Sequence, residues 1–482
     1  MKDVHGIPGV EVHNLNFKSA SGISTDSRAA SAGEIFFALR GEKFDGHDFV
    51  GEVLARKVSC AVVDRKWYSR AALDDPSVTG YPLAVVDDTT RALGDLARVY
   101  RSKFSMPVIA IAGSNGKTTT KEMAAKILGK RLSVAKTSGN HNNQIGVPLT
   151  VFGFRKHHEA AVVEIGTNHF GEIKRLCEIL KPGAGLITSI GAEHLEFLKN
   201  LNGVKKEETA LFDFLRLSSG VLFVNSDDRN IVNMARLFSK RSVRAGHKFS
   251  YGFRSDTLER RNLAGRFFGL DRKGCAFFEL RYYGKTELIR LKVPGIHTAM
   301  DALAAAAIGY YYGLSSSEIR NALETYKGFE KRMQLMRARD VRIMNDTYNS
   351  NPESAIAALR WLSVVRTKGR KIAVFADMLE LGESAKREHQ KVGKEIAKMN
   401  LDCLFTFGDL ARETACTAEG YASREKRDGL KVEAFDNKER LSEELLRTVT
   451  AGDVVLVKGS RGMKMEEVVN ALRIELQEKG AH

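Results

Sequence analysis

No stretch of this 482-residue chain approaches the roughly 18 uncharged apolar residues that a membrane span requires. The nearest, residues 302–312, is about half that length and follows Asp301, so it reads as a buried helix. The opening Met-Lys-Asp-Val-His-Gly has no apolar signal core. These absences predict a cytoplasmic protein with no membrane partner. Cysteine is scarce. Cys60, Cys177, Cys275, Cys403 and Cys416 are odd in number and lack metal-ligand spacing, which predicts buried free thiols in a reducing compartment. Internal repeats and low-complexity tracts are also missing. The formal charge of +16 is spread along the chain rather than gathered in an aromatic-studded stripe. Its densest runs, 240–244 and 254–273, read as solvated surface. That distribution argues against nucleic acid and leaves polyanionic small substrates.

The chain is too long for one hydrophobic core, and its length suggests about three domains. Composition divides it into blocks 1–104, 105–325 and 326–482. The first holds short strand-like runs starting at Glu34, Cys60 and Leu83, then a helical pattern over 90–104. The second alternates apolar strands with helices and carries a two-stranded excursion over 275–292. The third repeats the alternation, with strands starting at Val341, Lys371, Cys403 and Asp453. Such alternation predicts an α/β protein with a mainly parallel sheet in the central block.

The most informative segment is Val108-Ile-Ala-Ile-Ala-Gly-Ser-Asn-Gly-Lys-Thr-Thr-Thr120. A buried-strand run breaks into glycines, and Lys117-Thr118 open a helical pattern. Backbone N–H groups at Gly113, Ser114, Asn115 and Gly116 can converge on a phosphate. Lys117 then reaches the terminal phosphates, and the hydroxyls of Thr118 and Thr119 follow. Ile111 stands where the strict phosphate-loop pattern has its first glycine, yet the order of strand, loop, Lys-Thr and helix favours ATP.

Polar residues recur at other strand ends, where open α/β sheets place their ligands. Glu164 and His194 are candidate Mg²⁺ groups, with helix capping and a structural histidine as the plainer readings. Asn140, Asn142 and Asn143 lie in an amide-rich loop suited to a sugar or peptide. Asp346, Tyr348 and Asn351 follow one strand of the last block, and Lys458 and Arg461 follow another. Arg332 sits at the junction of the second and third blocks. Ordinary surface loops explain the two strand-end groups equally well from pattern alone, and Arg332 by itself reads more simply as a solvated charge.

Together these segments resemble the Mur ligases, ATP-dependent amide-forming enzymes of peptidoglycan synthesis. The resemblance runs from Thr25-Asp-Ser-Arg28 through Gly113-Ser-Asn-Gly-Lys-Thr-Thr119 to Lys458-Gly-Ser-Arg461. Asn140-His-Asn-Asn-Gln-Ile-Gly-Val-Pro-Leu149, Asp346-Thr-Tyr-Asn-Ser-Asn-Pro352 and Asp377-Met-Leu-Glu-Leu-Gly382 with His389 point to the branch that adds a dipeptide. The resemblance implies three domains: a UDP-substrate domain (1–104), a central phosphate-loop ATPase (105–325) and a C-terminal Rossmann-like domain (326–482). It implies that D-alanyl-D-alanine is joined to a UDP-N-acetylmuramoyl-tripeptide through an acyl phosphate, with ATP and two Mg²⁺ ions, in a monomer.

By position, the resemblance gives Lys117 and Thr118 to phosphate and Mg²⁺, and Glu164 and His194 to the metals. Arg332 and Asp346 fall to ATP, and Thr25, Asp26, Ser27 and Arg28 to the UDP-sugar. Asn140, Asn142 and Asn143 fall to the muramoyl-peptide. Tyr348, Asn351, Lys458 and Arg461 fall to the dipeptide side.

Three positions depart from the family. A lysine carbamylated by CO₂ is usual fourteen residues after His194, and Glu208 stands there. Either Glu208 supplies a built-in carboxylate, or Lys206 is the modified residue, or the run is merely solvated charge. Thr298 and Asp301 replace asparagines expected near the adenine, and Asn345 replaces a frequent aspartate. The alternatives within the class are a sibling ligase adding one amino acid and a folylpolyglutamate-type ligase. Outside it stand a nucleic-acid-dependent ATPase and a catalytically dead binding protein.

Overall fold

A computed structural model describes residues 4–15, 20–41, 44–236, 248–254, 262–424 and 429–478. The basic run at 240–244 and positions 255–261 lie outside the described residues, as do Glu42 and Lys43. The chain is α/β and forms two compact units. One comprises Met1–Ala110, Leu132–Thr167 and Gly171–Ala184; the other comprises Ile111–Arg131, Asn168–Phe170 and Gly185–His482. No described helix is long and apolar enough to cross a membrane.

The first unit contains a five-stranded sheet in the order Glu11–His13, Leu83–Val86, Cys60–Asp64, Glu34–Phe37, Gly22–Ser24. Only Glu11–His13 runs antiparallel to its neighbour; the other pairs are parallel. Cys60–Asp64 and Leu83–Val86 are buried at every position, as uninterrupted apolar runs in a sheet covered on both faces should be. A second parallel pair, Val134–Lys136 with Ala160–Glu164, brings the amide-rich loop and Glu164 into this unit.

The second unit opens on the helix Lys117–Leu128 that follows the phosphate loop. Its central strands include Val221–Asn225 and Lys248–Gly252, which pair in parallel. The expected two-stranded excursion has three strands. Leu263–Leu270 pairs antiparallel with Cys275–Tyr282, which pairs antiparallel with Lys285–Pro294. The third strand was masked in the sequence because Arg266 and the two glycines, Gly265 and Gly269, break its apolar alternation, and residues 263–270 read as solvated surface. The apolar run at 302–312 is, as expected, the core of a buried helix, His297–Tyr311.

The C-terminal part of this unit is a six-stranded sheet ordered Gln334–Ala338, Val341–Asp346, Val454–Lys458, Lys371–Ala376, Cys403–Phe407, Lys431–Phe435. All pairs are parallel except the first, which adds an antiparallel edge. Side chains on a strand alternate between faces, so Ala373 and Phe375 enter one core while Ile372 and Val374 enter the other. Burial on both faces explains why the four inner strands read as nearly continuous apolar runs. Four cysteines are buried free thiols, as expected, but Cys416 is exposed on the helix Asp409–Arg424. That helix is amphipathic only over its alanine stripe, and Cys416 falls off it.

Candidate active site

The phosphate loop is held open by two left-handed glycines, Gly113 at φ 110° and Gly116 at φ 87°. Any side chain at Gly113 would collide with Thr188, whose Oγ1 and backbone nitrogen would lie 2.5 and 2.7 Å from a Cβ. This close approach lets the loop be fastened to residues 188–191. Ser114 Oγ accepts from Gly191 N–H at 2.8 Å and donates to its carbonyl at 3.3 Å. Asn115 N–H donates to Ser189 Oγ at 3.0 Å. The loop conformation is thus fixed by side chains other than those needed for phosphate, and the helix beginning at Lys117 directs its positive end at the cradle.

Lys117 donates to the carbonyl of Gly113 and, at 3.4 Å, to that of Ser114. Its Nζ lies 3.7 Å from Glu193 Oε2, and the same oxygen is 3.9 Å from His194 Nε2. Glu193, missed in the sequence reading, is therefore the carboxylate between Lys117 and His194. Its adjacency to a candidate metal histidine was the only available signal. Glu208, on the helix Leu201–Leu217, is fully buried, and neither carboxylate oxygen has an aligned hydrogen-bond partner. Burial and then the Glu193 charge push its pKa up to about 8, while Lys117 and the Gly113 amide oppose the rise. Lys206, two residues earlier on the helix, points elsewhere: it is exposed, with its ammonium 5.7 Å from the Phe170 ring centroid.

Among the described residues, no three His, Cys, Asp or Glu side chains are preassembled as a metal cage. Mg²⁺ is usually held by one or two carboxylates, substrate phosphates and water rather than by an all-protein shell. The buried oxygens of Glu208 beside the phosphate cradle, with the buried Thr118 hydroxyl at its rim, are hard donors of that kind.

A second cluster gathers at the C-terminal sheet. Asp346 and Lys458 are register partners at the ends of adjacent parallel strands and form a buried ion pair at 2.7 Å. Asp346 also accepts from Met333 N–H at 3.0 Å, and Lys458 donates to the Asn349 carbonyl at 2.9 Å. Arg332 lies between two left-handed residues, Lys331 and Met333, with its guanidinium carbon 3.9 Å from the Tyr348 ring centroid. Arg461 approaches the same ring at 5.4 Å. Asn351 caps the helix Pro352–Val364 through Ser354 N–H, so its Oδ1 is already engaged. Beside the loop, Asp301 packs against Gly116 and is raised to about 8 by burial, opposed by Thr120 and Arg332. Thr298 is turned back onto the Gly295 carbonyl at 2.6 Å.

In the other unit, Asn142 Nδ2 donates to Glu164 Oε1 at 2.9 Å. Asn143 Oδ1 accepts from Ile145 and Gly146 N–H and so starts the helix Gly146–Phe152, whereas Asn140 is exposed. Arg28 closes on Asp26 in a surface turn where its guanidinium and amide hold the carboxylate pKa down at about 2; Thr25 is partly buried, and the Ser27 carbonyl accepts from Arg56 at 2.7 Å.

Three family descriptions match the chain in order: Mur ligase family, catalytic domain over residues 19–101; Mur ligase middle domain over 111–309; and Mur ligase, glutamate ligase domain over 331–461. The UDP-N-acetylmuramoyl-tripeptide–D-alanyl-D-alanine ligase of Bacillus subtilis (strain 168) is 32% identical over 452 residues, covering 94% of this chain and 93% of that protein. A crystal structure of MurF from Acinetobacter baumannii superposes with a TM-score of 0.81 at 31% identity, covering 94% of this chain and 93% of the other. MurF ligase from Thermotoga maritima in complex with ADP gives 0.79 at 25% identity, covering 95% and 98%.

Proposed function

This chain belongs to the Mur ligase family, and on that premise we propose that it is the ATP-dependent ligase that joins D-alanyl-D-alanine to a UDP-N-acetylmuramoyl-tripeptide, in the cytoplasm. The observation that carries the chemistry is the convergence of Lys117, Glu193, His194 and Glu208 at a fastened phosphate loop. A carboxylate is a poor acyl donor because oxide is a bad leaving group. The tripeptide carboxylate attacks the γ-phosphorus of ATP, forming an acyl phosphate and releasing ADP. The dipeptide amine then attacks the carbonyl carbon, and phosphate leaves from the tetrahedral intermediate.

Each step brings anions together, so cationic groups must be placed in advance. Lys117 is drawn from the loop carbonyls to the terminal phosphates when nucleotide enters. Gly113, Ser114, Asn115 and Gly116 form the cradle, in which Ser114 and Asn115 N–H donate to Ser189 and would have to exchange that partner for phosphate, and Thr118 and Thr119 follow at the helix start. Bound Mg²⁺ would neutralise phosphate charge and hold in-line geometry; Thr118, His194 and Glu208, and separately Glu164, carry suitable donors. Glu208 takes the place of a carbamylated lysine, a reading supported by its burial beside Lys117 and by the outward direction of Lys206. Arg332 and Asp346 serve ATP. Tyr348, Asn351, Lys458 and Arg461 form the dipeptide side. Thr25, Asp26, Ser27 and Arg28 take the UDP-sugar, and Asn140, Asn142 and Asn143 the muramoyl-peptide.

The test is ADP release with lysine- and diaminopimelate-containing tripeptide nucleotides, with and without D-alanyl-D-alanine, read alongside the mass of the product. Release that requires both substrates and a pentapeptide product support the reading. Turnover with a single amino acid in place of the dipeptide, or with nucleic acid alone, overturns it.

A further inference from the structure

Two non-glycine residues with left-handed backbones face one another beside the phosphate loop. His194 has φ 49° and Glu380 has φ 65°. Such conformations are unfavourable for side chains of this size, and they persist where surrounding structure enforces them. His194 Nδ1 lies 2.6 Å from Glu380 Oε2, and the imidazole holds the Glu380 carboxyl below its usual range. The far side of the same ring, Nε2, looks toward Glu193 and through it to Lys117.

The contact does not stand alone. Glu380 lies in the turn 377–382 that follows the strand Lys371–Ala376 of the C-terminal sheet. Its carbonyl accepts from Glu196 N–H at 3.2 Å. Gly382, itself at φ 51°, comes so near that a Cβ there would lie 2.9 Å from the Glu196 Cα. Leu195 and Leu198 share one apolar core with Met378 and Leu381. A second acid, Glu353 in the first turn of the helix Pro352–Val364, accepts from Ala192 N–H at 3.1 Å. Residues 191–196 are therefore gripped by two carboxylates and a turn supplied from the C-terminal part of the chain.

We propose that Glu380 is a positioning residue: it holds the His194 imidazole with Nε2 turned toward the Lys117–Glu193 side, so that the cation site at the phosphate loop is complete only while the 377–382 turn is seated. The inference rests on the reading that His194 serves the divalent cation. A carboxylate behind a histidine fixes ring orientation and raises the basicity of the opposite nitrogen, and removing such a partner commonly weakens metal binding 10–100-fold. The arrangement gives the left-handed backbone of Glu380 a purpose. Glycine would relieve the backbone but leave His194 free to turn.

The experiment compares wild type, Glu380→Gly, Glu380→Gln and His194→Ala, using Mn²⁺ and ADP as probes. Mn²⁺ affinity of the enzyme–ADP complex is measured by electron paramagnetic resonance of the free ion, and thermal midpoints are recorded on the same samples. Glu380→Gly is expected to melt at or above the wild-type temperature, because glycine accepts positive φ, yet to bind Mn²⁺ about tenfold more weakly. Glu380→Gln keeps an acceptor oxygen and is expected to lose less. Mn²⁺ affinity within twofold of wild type in Glu380→Gly, with His194→Ala weakened, overturns the role of Glu380 and leaves the cation site standing. Unchanged affinity in His194→Ala overturns the cation role of the histidine and the proposal with it.

Discussion

Asp346 and Lys458, expected from the sequence at two different substrates, are bonded to each other: their side chains meet at 2.7 Å across adjacent parallel strands, both almost fully buried. The pair sits at strand C-termini, where α/β sheets bind ligands, and it is satisfied further by Met333 N–H and the Asn349 carbonyl. Removing one partner leaves the other charge uncompensated in a poorly solvated place. Lys458→Met or Asp346→Leu alone is expected to lower stability by about 3–5 kcal/mol, and the double variant by clearly less than the sum. A double-mutant cycle in urea measures this; additive losses would mean the two groups act independently.

Glu208 is a buried carboxyl with no aligned partner and a pKa of about 8. Glu208→Gln preserves its shape and removes the cost of ionising it. The variant is expected to be more stable than wild type at pH 8 and to lose about 10²-fold or more in kcat. Wild-type activity is expected to be indifferent to removal of CO₂ and bicarbonate. A collapse on stripping bicarbonate would transfer the role to a modified Lys206.

Asp301 carries the second raised carboxyl, from 3.8 to about 8, mainly through burial. For an acid raised on folding, the folded state binds more protons than the unfolded state between those values, so stability falls as pH rises through that window. Asp301→Asn removes the dependence. Its gain over wild type is expected to be small at pH 4, to grow by at most about 1.4 kcal/mol per pH unit, and to level off above pH 8. Thermal midpoints from pH 4 to 9 test this; parallel profiles would mean Asp301 ionises freely.

The phosphate loop was legible because its glycines, lysine and flanking strand and helix are contiguous. The same holds for Cys60–Asp64, Cys403–Phe407 and the helix opened by Pro352, where apolar runs or a proline at the first turn mark the element. Short strands such as Glu11–His13 and Gln334–Ala338 were not seen, since three to five mixed residues carry too little period. Pairings could not be read either. Nothing local reveals that Asp346 faces Lys458, that Glu193 stands between Lys117 and His194, or that Glu380 reaches His194, because those contacts arise only when distant strand ends are brought into register. Helical geometry bears on one ambiguity. Residues 206 and 208 are about 200° apart around their helix, with Glu208 buried and Lys206 exposed, which supports Glu208.

Lys117 is the cation that offsets Glu193 at 3.7 Å and lowers the pKa of Glu208, so its replacement should have two separable effects. In Lys117→Met the Glu208 pKa rises further, and the folded state binds protons over a wider range. Stability relative to wild type is therefore expected to be nearly unchanged from pH 5 to 7 and to fall as pH rises through 8 toward 9, where wild-type Glu208 ionises and the variant's does not. Catalysis is expected to fall by about 10²–10³-fold or more at every pH, because the lost ammonium is needed where phosphoryl charge develops. Adding Glu193→Gln should restore stability at pH 9 by removing the unbalanced carboxylate, and should not restore turnover. Recovery of ADP release in the double variant would mean that Lys117 serves to neutralise Glu193 rather than to meet the nucleotide.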